Sequence, residues 1–207
     1  KHDRRDAIQL ARLYRAGELV TIRIPTPAEE RVRDLVRCRQ CFQREILRSR
    51  HYILKFLRRR GFVFREGSPW RRKHRRWLES LLHREELAPE DRAVFGEYLA
   101  LLDYKTSRRD ELDEQITQIA FSPQYRAVVE RLCCFRGINT LAAITLATEI
   151  GDWRRFERPG QLMAFLGLVP REHSSGDRDR KGPITKAGNS RCRHVLVQGA
   201  WKYRHRP

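Results

Sequence analysis

The sequence is 207 residues long and carries 44 Lys and Arg residues against 26 Asp and Glu residues, a formal net charge of +18. This excess favours a polyanionic partner through counterion release, with nucleic acid ahead of an anionic membrane, and a hydrophobic fraction of 40% excludes a disordered basic tail. No window approaches the ~18 uninterrupted apolar residues of a membrane span, and the N-terminus lacks an apolar signal core. We therefore expect a soluble protein of the cytoplasm, without a membrane partner.

The chain opens on a helical pattern whose first turn carries two carboxylates. Asp3 and Asp6 are three residues apart, so both lie on one face of that turn. Paired carboxylates can hold Mg²⁺, and two-metal sites activate a hydroxyl for attack on phosphate. The other interpretation is an N-cap followed by an acid that the helix dipole favours, because two carboxylates alone do not complete a two-metal site.

A short strand and then a helix start are predicted next. Residues 19–24 alternate in hydrophobicity and are rich in β-branched side chains, which is typical of a strand. Thr26 and Glu29 form the pattern of a capping box, with Pro27 at the first helical position. We therefore expect a helix to begin at this point.

Two long helices are predicted from apolar residues at heptad spacing, over residues 32–56 and again over residues 95–119. Gly61 is expected to end the first helix, and Pro89 to precede the second. Helices of matching length joined by a compact linker are expected to pair as an antiparallel coiled-coil hairpin. The same apolar stripe could also pair two subunits as a homo-oligomer.

The linker between these helices places cations among aromatic rings, in W-R-R-K-H-R-R-W at residues 70–77. Bases could stack on Trp70 while Arg71 and Arg72 meet the backbone, which suits a contact with RNA or a single strand. The alternative is that the tryptophans anchor a small core and the cations form a solvated face.

The five cysteines are odd in number and lack the spacing of a disulfide framework, so we expect reduced thiols. Cys38 and Cys41 form a C-x-x-C pair inside a helical pattern, with no second pair nearby. Buried thiols on a helix face are the favoured interpretation, and a zinc or redox role is the alternative.

Ser122 and Pro123 mark a boundary, because the heptad pattern stops there and the charge density falls. The pattern beyond is helix, turn, helix, with Gly137 at the turn and Thr140 as the expected cap. This is typical of a helix-hairpin-helix, whose backbone amides meet DNA phosphates without reading bases, although a plain helical hairpin is also possible. A further apolar helix is expected at residues 161–167.

Residues 170–193 set two adjacent serines beside a glycine in a segment crowded with cations. A serine there can act as a nucleophile if the cations hold a phosphate against it, which indicates phosphodiester chemistry and not acyl transfer. A final helix is predicted over residues 190–203, and the cations in its first turn oppose the helix dipole, so an anion is expected to bind there. The candidate nucleic-acid contacts in this region are Arg178, Arg180, Lys181, Lys186, Asn189, Arg191 and Arg193.

Four motifs occur in a fixed order: K-x-D-R-R-D-A; F-R-G-I-N with L-A-T-E-I-G-D; R-P-G-Q-L-M-A-F-L-G-L-V-P-R-E-H-S-S-G; and G-P-I-T-K-A-G-N-S-R-C-R-H-V-L. Together they resemble the DEDD-type insertion-sequence transposases of the "one-ten" group, most strongly over residues 133–196. The resemblance implies a RuvC-like domain with four acidic residues, a coiled-coil region and a transposase domain with a catalytic serine. It also implies that the protein recombines double-stranded DNA in a prokaryotic cell, at the nucleoid, directed by a structured guide RNA.

The implied fold is mainly α. Residues 1–27 are expected to be the last part of a RuvC-like α/β domain, residues 28–122 a coiled-coil region, and residues 123–207 a small helical transposase domain with a helix-hairpin-helix-like element. The chain lacks an initiator Met, and the first Asp and the Glu of the acidic set have no counterpart in it. We therefore expect a piece of a longer protein that is inactive alone.

The resemblance also assigns residues. Asp3 and Asp6 match the last two acids of the metal-binding set, which is expected to use Mg²⁺ but to hold it weakly or not at all in this chain. Ser175 matches the nucleophile, with Ser174 as the fallback. Three other interpretations stay open: a non-catalytic binder of nucleic acid, a RuvC-like nuclease in which the acids cut, and a basic helical scaffold whose serines only turn a loop.

Overall fold

The computed structural model describes residues 3–19, 22–173, 175 and 180–204. Within them the chain is mainly helical, which confirms the predicted fold class at that level. The helices are α1 (Asp3–Arg15), α2 (Pro27–Arg58), α3 (Arg72–Leu81), α4 (Pro89–Ala120), α5 (Arg126–Cys133), α6 (Thr140–Ile150), α7 (Pro159–Phe165) and α8 (Ser190–Lys202). The strands are β1 (Pro170–Glu172) and β2 (Lys181–Ile184), which pair antiparallel. None of the helices in these ranges is long and apolar enough to cross a membrane.

The ends of α2 lie where local sequence signals predicted them. The backbone N–H of Thr26 donates to Glu29 Oε2 at 2.8 Å, and the backbone N–H of Glu29 donates to Thr26 Oγ1 at 3.3 Å. This reciprocal pair satisfies two amides that a helix start would otherwise leave unbonded, so the predicted capping box is confirmed. Past the other end, Gly61 adopts a φ of 82°, which glycine reaches without steric cost.

The long helices α2 and α4 lie antiparallel. Arg39, in the first half of α2, donates from Nε and Nη2 to the carboxylate of Asp113, in the second half of α4, at 2.6 and 3.0 Å. At the opposite end, Arg60 bonds Asp91. Charged side chains therefore bond across the helix pair, while the coiled-coil description of the packing stays a prediction.

Three hydrophobic clusters form the core. The first joins the second half of α2 to α3 and the first half of α4, with Ile46, Leu78 and Phe95 fully buried. The second joins the other halves of α2 and α4 to α5 and α6. The third lies among α6, α7 and α8. The second cluster packs across residues 122–123, so side chains on the two sides of the predicted boundary share one core.

Three local predictions were wrong. No strand forms in the described part of residues 19–24, where Ile22 and Ile24 are 85% and 81% exposed, because no neighbouring strand is there to pair with them. The cap of α6 is Asn139 and not Thr140: its Oδ1 accepts from the backbone N–H of Ala142 at 2.9 Å. Cys38 and Cys41 are exposed and not buried, because α2 turns other positions toward α4 and α6; both are free thiols.

Candidate nucleic-acid interface

Ser175 lies between the two short strands and is exposed to solvent. Just beyond the strands, the backbone N–H of His173 donates to the carbonyl of Arg180 at 2.8 Å, which continues the hairpin toward the serine. The hydroxyl is therefore in reach of a large substrate, as a nucleophile for nucleic acid must be. Ser174 and Arg178 are outside the described residues. The side chains of Arg180 and Lys181 are exposed and take part in contacts within the chain.

The base of this hairpin passes very close to the end of α7. The backbone N–H of Lys186 donates to the carbonyl of Gly167 at 3.0 Å. A Cβ added to Gly188 would lie 1.9 Å from the carbonyl oxygen of Phe165, so only glycine allows this approach. Lys186 has a φ of 57°, and its side chain is exposed. The segment that carries Ser175 is thus locked to the protein next to the start of α8.

Glu149 joins three helices below this point. Its carboxylate is almost fully buried and accepts from Arg37 Nε and Nη2 of α2 at 2.8 and 2.9 Å and from Asn189 Nδ2 at 2.7 Å. Burial raises the pKa of Glu149, but the hydrogen bonds from Arg37 and Asn189 and the charge of Arg191 outweigh it, so the pKa lies below its usual range. The ionised carboxylate therefore ties α2 and α6 to the start of α8.

Sequence reasoning missed Glu149. The residue is the one acid in the apolar run of α6, residues 140–150, and a single acid among apolar residues is a signal for a buried pair. The sequence did not show its partners, because Arg37 and Asn189 lie 112 and 40 residues away along the chain.

The predicted phosphate contacts at the start of α8 have partners inside the chain. Asn189 caps the helix through Oδ1, which accepts from the backbone N–H groups of Arg191 and Cys192 at 2.9 and 3.2 Å. Arg191 Nε donates to Gln40 Oε1 at 3.0 Å and lies 4.0 Å from Glu149 Oε1. The anion that balances the cations at this helix start therefore includes the protein's own Glu149.

Arg193 also bonds the protein itself. Its Nη1 donates to the carbonyl oxygens of Leu166 and Gly188 at 2.9 and 2.6 Å, which holds the α7 end and the hairpin base together. A phosphate contact by Arg193 or Arg191 stays a prediction, as does one by Asn189. The exposed ammonium of Lys186 is the candidate of this set best placed to meet an external anion.

The aromatic segment around α3 belongs to the first hydrophobic cluster. Trp70 and Trp77 are partly buried against it, and His74 is fully buried between them, with its Nδ1 accepting from the backbone N–H of Trp70 at 3.1 Å. Burial lowers the pKa of His74. The tryptophans thus serve as core anchors, while Arg71 and Arg72 are exposed. Base stacking on Trp70 stays a prediction.

Asp3 and Asp6 lie in the first turn of α1, as predicted, and no residue of that helix is buried. Among the described residues, no group of three or more metal-binding side chains exists. The two carboxylates therefore do not form a Mg²⁺ site with other side chains in that part of the chain. The predicted site residues fall in separate places: α1, the α3 segment and the hairpin with the start of α8.

The chain is similar to known transposases. Residues 129–207 match the family model of the transposase IS116/IS110/IS902 family. The whole chain is 38% identical to the putative transposase y4qE of Sinorhizobium fredii and covers 49% of it. It is 30% identical, over 99% of its length, to the transposase for insertion sequence element IS1533 of Leptospira borgpetersenii, of which it covers 59%.

The transposase for insertion sequence element IS1111A of Coxiella burnetii is 27% identical over 97% of the chain, which covers 54% of that protein. The chain thus spans about half the length of the curated relatives it matches. The matched family agrees with the group that the sequence motifs resemble. Over residues 129–207 the chain is therefore similar to the transposase IS116/IS110/IS902 family.

Proposed function

We propose that the chain is the strand-exchange part of an insertion-sequence transposase, and that the hydroxyl of Ser175 attacks a DNA phosphodiester. The observation that carries the proposal is the place of Ser175: it is exposed, on a hairpin whose base is held against α7 and the start of α8. That hairpin lies inside the residues that match the transposase family model. A nucleophile on a fixed support can be held at one distance from a bound phosphate.

The proposed step exchanges one ester bond for another. The Ser175 Oγ–P bond forms, the bond between phosphorus and a deoxyribose oxygen breaks, and the released sugar oxygen takes up a proton. A free sugar hydroxyl on another strand then attacks the serine phosphodiester and releases the serine, so the backbone is rejoined without an external energy source. Serine is a weak nucleophile at neutral pH and needs a group to accept its proton.

We assign that role to His173. It stands two residues before Ser175 in the sequence, and its backbone N–H bonds the carbonyl of Arg180 on the same hairpin. Its ring also lies over Gly182 of the opposite strand: a Cβ at Gly182 would lie 2.9 Å from His173 Cδ2. The missing side chain at position 182 thus makes room for the imidazole on the serine hairpin.

No step in the proposal passes through a metal. Asp3 and Asp6 supply two exposed carboxylates on one turn, which are too few to hold Mg²⁺ firmly. Mg²⁺ is therefore proposed to bind only where further ligands complete the set.

Selection of the DNA site is assigned to base pairing by a structured guide RNA, with the protein contacting the shape and backbone of the nucleic acid. The net charge of +18 supports binding of both polyanions, DNA and RNA. Pairing of subunits through α2 and α4 is likewise proposed.

The test is to trap covalent protein–DNA adducts on a nicked substrate with the complete transposase, its DNA substrate and its RNA. Ser175→Ala is expected to abolish the adduct and to leave DNA binding unchanged, while Ser174→Ala, the matched control, retains it. His173→Gln is expected to slow adduct formation at least tenfold with unchanged binding. Adducts in both serine variants would end the serine mechanism. Cleavage that Asp3→Ala abolishes and Ser175→Ala does not would indicate the nuclease instead.

A further inference from the structure

A groove of about 990 Å³ lies between α2, the turn that precedes α6, and α8. One wall is a polar stripe on α8, in which Ser190, His194, Gln198 and Lys202 follow one another at intervals of four residues. Residues four apart share one helix face, so this stripe runs the length of α8, about 18 Å. The groove therefore starts at the base of the Ser175 hairpin and leads away from it.

The chemistry of the groove is mixed. Its floor is apolar and includes Val36, Ile116 and Val195. Its rim is basic: Arg44 and Lys202, on opposite walls, are both exposed and make no hydrogen bond or ion pair within the described residues. No acidic side chain is among the described residues that line the groove. A ligand that fits must bring negative charge at its edge and apolar or planar surface to the floor.

A single nucleic-acid strand has this chemistry. Its phosphates can meet the cations of the rim, while its unpaired bases can lie against the apolar floor and the ring of His194. A duplex fits less well, because it keeps its bases stacked inside and presents only sugar and phosphate, which would leave the floor in contact with water. An acidic peptide could also meet the rim, but the match to transposases and the net charge of +18 favour nucleic acid.

We propose that this groove binds a single-stranded segment of nucleic acid that flanks the phosphate attacked by Ser175. The inference rests on the proposed function, because the groove begins where the serine hairpin joins α8. It adds a binding site to that function: strand exchange requires unpaired DNA beside the reacting bond, and a groove that holds one strand keeps it from pairing again.

The test measures binding of a short fluorescent oligothymidylate, and of the duplex it forms with its complement, to the whole chain at several salt concentrations. The variant carries Arg44→Ala and Lys202→Ala. The matched control carries Arg31→Ala and Lys55→Ala, which remove the same charge from exposed positions of α2 outside the groove. Each phosphate contact on a single strand contributes ~0.7 to the steepness of log affinity against log salt. Loss of two contacts in the groove variant is therefore expected to make this slope shallower by about 1.4. Binding near 0.15 M salt is expected to be roughly tenfold weaker.

The outcomes separate the possibilities. Equal losses for the groove variant and the control, or for the single strand and the duplex, would overturn the inference. A loss seen with polyglutamate as the probe, and not with oligothymidylate, would overturn it in favour of a protein partner. Ser175→Ala is expected to bind oligothymidylate like the parent chain. A failed adduct experiment with intact groove binding therefore counts against the serine mechanism, and the reverse result counts against the groove.

Discussion

Glu149 shows how one residue fixes the place of the candidate site. Its carboxylate holds Arg37 of α2 and Asn189 at the start of α8, and the serine hairpin leads directly into Asn189. A glutamine at this position keeps the shape but removes the charge, which leaves the guanidinium of Arg37 without its counter-ion. Breaking a buried pair is costly, and the partial exposure of Arg37 reduces the cost.

We predict that Glu149→Gln lowers the free energy of unfolding by about 2–3 kcal/mol, as urea denaturation would measure it. Glu130→Gln is the matched control, because Glu130 pairs with Arg126 on an exposed helix face and is expected to matter by less than about 0.5 kcal/mol. Equal effects of the two changes would show that the buried carboxylate does not hold the helices together.

The pH dependence of this effect has a definite sign. The pKa of Glu149 is lowered in the folded chain, so its stabilising effect is complete above its unfolded value, near ~4.3, and is lost as pH falls through the folded value. We predict that the stability difference between the parent chain and Glu149→Gln is constant from neutral pH to about pH 5 and shrinks below it. A difference that grows with acid would contradict the charge of Glu149 as the cause.

Cys192 differs from the other four thiols. It is buried next to Glu149, and burial raises its pKa to about 12, whereas Cys38, Cys41, Cys133 and Cys134 are exposed. A protonated, buried thiol reacts poorly with thiol reagents. We predict that four cysteines react at pH 8 in the folded chain and that Cys192 reacts only after unfolding. Mass spectrometry after limited alkylation would check this, and rapid labelling of Cys192 would indicate that α8 opens.

At the scale of elements, the sequence predicted those features that depend on residues close together along the chain. The capping box and proline that start α2, and the proline that starts α4, act within one turn, so the sequence predicted both helices. The strand over residues 19–24 was wrong because a strand needs a partner, which alternation alone does not supply. The hairpin that carries Ser175 was not predicted as strands, since its pairing depends on contacts with α7 and α8.

The candidate site could be predicted only in part, because some of its contacts join elements that are far apart in the sequence. The exposed position of Ser175 agrees with the polar, cation-rich composition of residues 170–193. The internal partners of Arg191 and Arg193 did not, because they are side chains and carbonyls on other elements: Gln40 on α2 and Leu166 after α7. The dipole argument singled out the cations at the start of α8, but it could not show that Glu149 lies 4.0 Å from Arg191.

Gly188 tests how tightly the serine hairpin must approach α7. A Cβ there would lie 1.9 Å from the carbonyl oxygen of Phe165, which cannot move without displacing the helix end. We predict that Gly188→Ala lowers the free energy of unfolding by more than about 2 kcal/mol. Gly160→Ala is the control: nothing lies within 4 Å of the added Cβ, and the change suits a helix, so we expect no loss. If the two variants unfold at the same urea concentration, the close approach is not required.

At the scale of the molecule, the three hydrophobic clusters connect all of the helices from α2 to α8. The second cluster joins Val36 and Ile116 of the long helices to Val129 and Ala143 of α5 and α6. Because this core lies on both sides of residues 122–123, a change in the long helices can reach the start of α8 through α6. The groove lies over this same cluster, with Val36 and Ile116 in its floor.

The charge of the whole chain also gives a way to distinguish a binder of nucleic acid from a basic scaffold. Some of its cations are paired with carboxylates inside the fold, among them Arg37, Arg39 and Arg60, and a paired cation contributes less net charge toward a phosphate. A binder of nucleic acid, catalytic or not, is expected to release many counterions, whereas a basic scaffold without a nucleic-acid partner has no reason to arrange its free cations along a groove.

We predict that raising the salt concentration from ~50 to ~200 mM lowers the affinity of the chain for DNA by at least about 10³-fold, as expected for six or more phosphate contacts. Fluorescence anisotropy with parent and Ser175→Ala chains would measure it, and both are expected to give the same slope because the serine carries no charge. A shallow slope would leave the net charge without a nucleic-acid role and favour the scaffold. A steep slope without covalent adducts in the complete protein would identify a non-catalytic binder.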